Sequence, residues 1–314
     1  MKKRVLYYLL PVLVLGCIGE KHFNPDAPRK IRHLKLVPPG TVWLRDSTFM
    51  DETEVRNIDY LEFLYWTYRL DRDNYQSILP DTMCWNLIEG IYKDYGRDYL
   101  RSSGFRNYPA VGISYTQAQA FCEWREDRIN QFIYLQHHRV SKNIPPDSIY
   151  RIKAPQYIEC RLPTREEWEY ASSAGLEYPG FCYGYVRMLD AENKAVSNTY
   201  ESVLLRQHTV TGFPSHIGHF LVTWNPTVPV KEGAPNKFGI YHLLGNVSEI
   251  IADSGFKGLN YTTTLDGKTM KEHPEDYERT DTSSLAYDYK FTFRYKKPTA
   301  WLGFRCVIVV KQIP

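Results

Sequence analysis

The chain has 314 residues, 43% of them apolar, and its 39 basic and 36 acidic side chains leave a net charge of only +3. This weak, scattered charge argues against nucleic-acid binding, and an aromatic content of 15% argues against an intrinsically disordered chain. The length is sufficient for one large folded domain.

The N-terminus carries the pattern of an export signal. The basic residues Lys2, Lys3 and Arg4 precede an apolar run, Val5 to Gly16. The run is too short to span a bilayer, where about 20 residues are needed, but it suits a signal peptide. Because Val14-Leu15-Gly16-Cys17 resembles a bacterial lipobox, we predict that residues 1–16 are removed and that Cys17 is acylated, which gives permanent anchoring. An ordinary cleaved signal with an incidental Cys17 is the alternative.

Residues 17–33 are predicted to form a tether, and residues 34–314 a single folded domain. The domain is expected to open with a hairpin, since two apolar runs between Leu34 and Leu44 flank the turn Pro38-Pro39-Gly40.

Three helices are predicted from their start signals. Asn57 is a suitable N-cap for the first, because its side chain can accept from the opening amides. Ser114 with Gln117 forms a capping box for the second, and Thr164 with Glu167 forms one for the third. Apolar residues at helical spacing follow each start.

Three segments in a fixed order carry a more specific pattern. They are Arg161-Leu162-Pro163-Thr164-Arg165-Glu166-Glu167-Trp168, Gly245-Asn246-Val247-Ser248-Glu249 and Gly303-Phe304-Arg305-Cys306. This pattern resembles the formylglycine-generating enzyme (sulfatase-modifying factor) family. The resemblance implies an irregular α+β fold related to C-type lectins, with short strands, two or three main helices and long loops. A segment at about 125–160 is longer than the family needs, and it resembles the gliding-motility and type IX secretion lipoproteins of Bacteroidetes.

The family oxidises a substrate cysteine with a copper-binding cysteine pair that precedes the Gly-Phe-Arg-Cys segment. In this chain no cysteine occurs between Cys182 and Cys306, and the expected positions fall on Tyr277 and Thr282, which are not the soft sulfur ligands that Cu(I) favours. Cys160 and Cys182 are the nearest alternatives, but the resemblance implies that they lie elsewhere in the fold. The iron-dependent branch needs a His-x-x-x-His-x-Glu motif that is absent before Pro109. Neither copper nor iron is therefore expected.

The resemblance also implies a calcium site, since Ca²⁺ takes carbonyl and carboxylate oxygens from irregular loops. Its ligands would be the main chains of Leu244, Gly245 and Val247 and the side chain of Glu249. A second family site would use Asn198. A buried Glu249 that accepts from nearby amides is the alternative.

One disulfide is implied by the same resemblance, between Cys122 and Cys306. An oxidising compartment would preserve such a bond. The alternative is that Cys122 is a buried free thiol. Five cysteines follow Cys17, so the odd count leaves at least one thiol unpaired.

Three functions follow for this chain. The preferred hypothesis is a non-catalytic lipoprotein, anchored to the outer membrane on its periplasmic or surface face, that contacts protein partners within an envelope machine of the gliding-motility or type IX secretion kind. The second is a copper-dependent oxidase with a rearranged site. The third is a calcium-dependent module that binds a peptide or a glycan.

Overall fold

The computed structural model describes residues 37–87, 95–138, 144–174, 227–243, 245–253, 255–257, 277–279, 293–295 and 298–311. Its helices are α1 (Asn57–Leu70), α2 (Tyr95–Asp98), α3 (Tyr115–His137), α4 (Pro146–Ile149) and α5 (Arg165–Ser173), with 3₁₀ turns at Gln76–Ile78, Thr82–Leu87 and Ser103–Phe105. Its strands are β1 (Thr41–Arg45), β2 (Thr48–Asp51), β3 (Ile158–Arg161), β4 (Ser248–Ile250), β5 (Gly255–Lys257), β6 (Tyr277–Arg279), β7 (Phe293–Tyr295), β8 (Leu302–Gly303) and β9 (Val307–Val310). The predicted α+β class, with short strands and three longer helices in the described ranges, is confirmed.

The strands within these ranges form two small sheets. One has the order β1-β2-β9-β3 and the other the order β6-β7-β5-β4-β8. Because β8 and β9 are separated only by residues 304–306, the Gly-Phe-Arg-Cys segment passes from one sheet to the other. Within the described residues, no helix is both long and apolar enough to cross a membrane.

The opening hairpin differs from the prediction. Gly40 lies in a turn, but β1 pairs with the strand that follows it: Val42 is opposite Met50 and Trp43 is opposite Phe49. Val37 and Pro38 are not in a strand, and residues 34–36 lie outside the described ranges. The predicted pairing around Pro38-Pro39-Gly40 is therefore wrong for Val37 and Pro38. The next turn, at Asp46 with φ of 46°, closes the hairpin instead.

The start of α1 also differs from the prediction. Arg56 is the N-cap, and its amide donates to the Asp59 carboxylate at 3.2 Å. Asn57 occupies the first helical position and is fully buried. Its amide group donates to the carbonyl oxygens of Tyr99 and Phe105 at 3.1 and 3.0 Å. Asn57 therefore ties α1 to the loop beside it and does not cap the helix.

Both predicted capping boxes are confirmed. At the start of α3, the Gln117 amide donates to Ser114 Oγ, and the Ser114 amide donates to the Gln117 side chain. Thr164 and Glu167 make the same reciprocal pair at the start of α5. Each box satisfies amides that a helix leaves without internal partners.

The largest buried cluster lies between α1, α3 and the sheet that contains β9. Its centre is a group of aromatic rings in edge-to-face and stacked contact, with centroid separations from 5.4 to 6.4 Å; the rings are those of Tyr60, Phe63, Phe121 and Phe304. Such contacts add to the stabilisation from apolar burial alone. Phe304 brings the Gly-Phe-Arg-Cys segment into this core.

The segment at 125–160 extends the long helix and then returns to the sheet. Helix α3 runs on to His137, and after α4 the chain re-enters the fold as β3. Asn130 fixes the return, because its Oδ1 accepts from the amides of Tyr157 and Ile158 at 2.9 and 3.0 Å. The Tyr150 ring stacks on the Trp66 ring of α1, with 3.9 Å between the ring centroids. The extra segment is thus packed against the domain.

Candidate functional site

Gly303 opens the Gly-Phe-Arg-Cys segment at a point where two backbones approach closely. A Cβ at this position would lie 2.9 Å from Val247 Cγ2 and 3.1 Å from the Ala110 carbonyl oxygen. Only glycine fits without displacement of these neighbours. The contact brings the segment against the Gly-Asn-Val-Ser-Glu loop, and β8 pairs with β4 in parallel register.

Arg305, Glu249 and Trp168 form a buried cluster that joins the three sequence motifs. Arg305 Nη2 lies 2.5 Å from Glu249 Oε1, and Arg305 Nε donates to both carboxylate oxygens. Trp168 Nε1 donates to Glu249 Oε2 at 2.8 Å. None of the three side chains is more than 1% exposed. A bidentate, charge-assisted pair of this kind fixes orientation as well as charge.

The remaining donors of Arg305 bind the main chain. Nη1 donates to the Asp51 carbonyl oxygen at 3.0 Å, and Nη2 donates to the Tyr241 carbonyl oxygen at 2.8 Å. Burial lowers the pKa of Arg305, but the Glu249 charge opposes it, and the net change is upward. The guanidinium therefore stays charged, and it connects β2, the loop at Tyr241 and β4.

The backbone conformation at positions 245 and 246 explains why the middle motif has glycine and asparagine there. Gly245 has φ of 95° and Asn246 has φ of 61°, a left-handed region that glycine and asparagine tolerate best. In this conformation the Asn246 side chain accepts from the Val228 amide at 2.9 Å and donates to Glu54 Oε1 at 3.0 Å.

Glu54 places a second buried carboxyl group near the same guanidinium. Burial raises the pKa of Glu54 to about 8, Arg305 opposes the rise and Glu249 adds to it. Since one guanidinium serves two carboxyl groups in a dry environment, Glu54 is the one that keeps its proton at neutral pH.

Glu249 does not fit the predicted role of calcium ligand. Both of its oxygens accept hydrogen bonds from Arg305 and one also accepts from Trp168, so a bound cation would lie against a guanidinium. The buried carboxylate weighed as the alternative matches the structure better, although its partners are side chains and not amides. Leu244 and Asn198 lie outside the described residues. Calcium binding by the main chains of Leu244, Gly245 and Val247, and by Asn198, stays a prediction.

Three cysteines converge beneath β9. Cys122 on α3, Cys160 on β3 and Cys306 just before β9 have sulfur atoms that all lie within 4.8 Å of one another, and the Cys122 and Cys306 sulfurs are 3.5 Å apart. All three are buried thiols. A disulfide needs about 2.05 Å between its sulfur atoms, so the Cys122–Cys306 bond stays a prediction. The two cysteines that would form it are neighbours in the structure. Cys160 on β3 belongs to a different sheet from Tyr277 on β6.

An ion pair lies beside the three sulfurs. Arg125 Nη1 is 2.6 Å from Asp51 Oδ2, and the same oxygen accepts from the Cys306 amide at 2.8 Å. Burial raises the pKa of Asp51 to about 7 against the opposing effect of Arg125. Burial also raises the pKa of Cys306 to about 12.

The positions expected to hold the copper-binding cysteines are occupied by Tyr277 and Thr282, which have no sulfur ligand. Tyr277 opens strand β6, which pairs with β7. Thr282 and Cys182 lie outside the described residues, as do Cys17 and all of residues 1–36. Cys160, one of the alternative copper ligands, is only 4% exposed and lies among the two other thiols.

Two functional features were not found by sequence reasoning. The partnership of Arg305 with Glu249 crosses 56 positions of the chain and has no local signal. The position of Cys160 had a weak one, because Ile158, Cys160 and Leu162 are apolar residues at alternate positions and all three are buried, which is typical of the inner face of a strand.

Comparisons with known proteins agree with these motifs. The family model described as "Sulfatase-modifying factor enzyme 1-like domain" matches residues 14–310. The chain is 24% identical over 178 residues to the formylglycine-generating enzyme of Thermomonospora curvata, covering 56% of this chain and 44% of that protein. It is 21% identical over 229 residues to that of Mus musculus, covering 66% and 49%. The matches thus span less than half the length of these curated relatives.

Among solved structures, the chain is similar to CarF, with 18% identity, coverage of 86% of this chain and 93% of that one, and a TM-score of 0.40. The family assignment rests on the family model, which spans most of the chain and includes all three motifs. Those motifs meet at the buried contacts of Trp168, Glu249 and Arg305. The chain belongs to the sulfatase-modifying factor enzyme 1-like domain family.

Proposed function

We propose that this chain is a catalytically silent, lipid-anchored member of its family that acts as a structural component of a cell-envelope assembly. The observation that carries the proposal is the chemistry at the expected copper positions. Cu(I) needs soft sulfur ligands, whereas Tyr277 and Thr282 stand there and no cysteine lies between Cys182 and Cys306. The buried hydrogen bonds of Arg305 join β4 to β2 and to the loop at Tyr241, which is a structural role.

The thiols of the described residues support the same conclusion. Cys84, Cys122, Cys160 and Cys306 are all buried, each at most 4% exposed. Burial raises the pKa of Cys84 to about 12, so that thiol is a poor metal ligand and nucleophile. A copper-dependent oxidase with a rearranged site would need an accessible thiolate pair, and none of these four thiols is accessible; Cys182 lies outside the described residues.

A surface next to the extra segment suits a protein partner. Tyr65 and Tyr68 on α1 are each 48% exposed, and Leu70 is 37% exposed. The end of α1 is held to α4 by the ion pair between Arg69 and Asp147 at 2.6 Å. Aromatic residues are enriched at protein interfaces. We therefore propose that this face, built from α1 and the segment at 125–160, is where an envelope partner binds.

The catalytic part of the proposal is tested with the purified protein, Cu(I) and a Cys-x-Pro-x-Arg peptide. We expect no aldehyde above the metal-only control, while the Thermomonospora curvata enzyme in the same assay serves as the positive control. Turnover by this chain would contradict the proposal. A Cys182→Ser variant, with Cys84→Ser as the matched control, would then show whether a rearranged thiol site is responsible.

The contact surface is tested by a photo-crosslinking residue placed at Tyr68 in cells. We expect a discrete crosslinked partner that is absent when the same residue replaces Arg97, another exposed helical position. Identical crosslinking from the two positions would argue against this face as the interface, without bearing on catalysis.

A further inference from the structure

The buried group of three thiols has more members than one disulfide uses. Cys122, Cys160 and Cys306 come from three separate elements, α3, β3 and the residue before β9, and their sulfurs lie within 4.8 Å of one another. We propose that Cys122 is the shared partner of two mutually exclusive disulfides, one to Cys306 and one to Cys160, so that the oxidised protein always keeps one thiol available for exchange. The inference does not depend on the proposed function.

The sheet register identifies Cys122 as the shared partner. Cys160 on β3 is directly opposite Ile308 of β9, so Cys306 lies two residues further along the neighbouring strand. Such diagonal neighbours are about 7–8 Å apart between Cα atoms. A disulfide seldom bridges Cα atoms more than about 7 Å apart without backbone movement. Cys160 and Cys306 are therefore poorly placed to bond each other.

Cys122 approaches the two strand cysteines from the opposite side. Helix α3 packs against β3 and presents Cys122 on its buried face. Its sulfur is 3.5 Å from that of Cys306 and lies within 4.8 Å of that of Cys160. A rotation about one side-chain bond is a smaller change than a strand displacement, so the helix cysteine can reach either partner.

The charges around the cluster distinguish the three thiols. Arg125, one turn along α3 from Cys122, is held against Asp51 at 2.6 Å. Burial raises the pKa of Cys160, but hydrogen bonds from Cys122 and Cys306 and the charge of Arg125 outweigh burial and bring the pKa below the usual range. The pKa values of Cys122 and Cys306 are raised. Cys160 is thus the thiol with the lowest pKa of the three.

The exchange follows an oxidation by an external disulfide and is itself redox-neutral. First, an external small-molecule disulfide oxidises two thiols, Cys122 and Cys306, and leaves as two thiols. The Cys160 thiolate can then attack Cys122 Sγ, so that the Cys122–Cys160 bond forms, the Cys122–Cys306 bond breaks and Cys306 leaves with the electron pair. A thiolate is more stable on Cys160, whose pKa is lowered, than on Cys306, whose pKa is raised. The Cys122–Cys306 bond should therefore predominate at equilibrium, with Cys160 reduced.

The test is disulfide mapping of the full chain after oxidation with oxidised glutathione, alkylation, digestion and mass spectrometry. We expect the wild type and Cys160→Ser to contain the Cys122–Cys306 peptide. Cys306→Ser should lose that peptide and gain Cys122–Cys160. Cys122→Ser should give neither bond, and it should leave Cys160 and Cys306 both alkylated. Cys84→Ser, a buried thiol in a different core cluster, is the matched control and should match the wild type.

Two results would overturn the proposal. One is a Cys306→Ser protein that melts cooperatively but keeps Cys122 and Cys160 reduced. The other is a Cys160–Cys306 bond in folded Cys122→Ser. If either variant fails to fold, the wild type decides: early in reoxidation of the reduced protein, both Cys122-linked peptides should be present, and the Cys122–Cys160 peptide should decline later. Its absence at every time point would refute the exchange.

Discussion

The substitution Arg305→Met removes the guanidinium that three sequence motifs share. Arg305 is fully buried, and Glu249 is 1% exposed. The change leaves the Glu249 carboxylate with only Trp168 as a donor among the contacts described above. It also leaves the carbonyl oxygens of Asp51 and Tyr241 without this donor. Methionine fills much of the same volume, so the lost charge and donors dominate the effect.

The expected cost follows from the burial of the pair. Removal of one partner of a buried ion pair destabilises a protein by about 3–5 kcal/mol, since the other charge is left uncompensated. Domains of this kind unfold with about 5–15 kcal/mol. Arg305→Met should therefore remove a large part of the free energy of unfolding.

The assay is urea denaturation followed by tryptophan fluorescence. Arg97→Met is the matched control, since the Arg97 side chain is 76% exposed and pairs with Asp98 at the surface, and it should leave the midpoint unchanged. The double variant Arg305→Met with Glu249→Gln should recover part of the loss, because no buried charge is left and Trp168 keeps an acceptor. An Arg305→Met protein as stable as the Arg97→Met control would refute the reasoning.

Further outcomes are expected at other positions. The pKa of Glu54 is about 8 in the folded protein against 4.5 for the free group, so the folded state binds the extra proton. The free energy of unfolding should therefore fall as pH rises from about 4.5 to 8. Glu54→Gln should flatten this slope in urea titrations, and an unchanged slope would contradict the assignment. Thr164→Ala should destabilise by about 1 kcal/mol through loss of the capping hydroxyl, whereas Thr116→Ala, a residue within the first turn of α3, should have a smaller effect on the urea midpoint; equal losses would argue against the cap. A palmitate analogue should label the wild type but not Cys17→Ala, and equal labelling would exclude acylation at Cys17.

Local hydrogen bonding is the part of this fold that the sequence itself determined. The capping boxes at Ser114 and Thr164 were predicted correctly because donor and acceptor are three residues apart, and the helix geometry alone brings them together. The α+β class was implied by the family resemblance that the three motifs carry. Local sequence was insufficient at Asn57, a residue type that is typical of an N-cap. Its side chain donates to the buried carbonyl oxygens of Tyr99 and Phe105, and Asn57 occupies the first position of α1 instead.

Only the tertiary structure decided which distant groups are partners. Glu249 binds Arg305 and Trp168, and Cys160 lies beside Cys122 and Cys306 because β3 pairs with β9 in one particular register. A strand's sequence shows which face is apolar, but not which strand lies next to it, and a shift by one residue would turn Cys160 away from the cluster. The registers that set these contacts depend on packing of the whole core, so they are fixed only when the helices and both sheets come together.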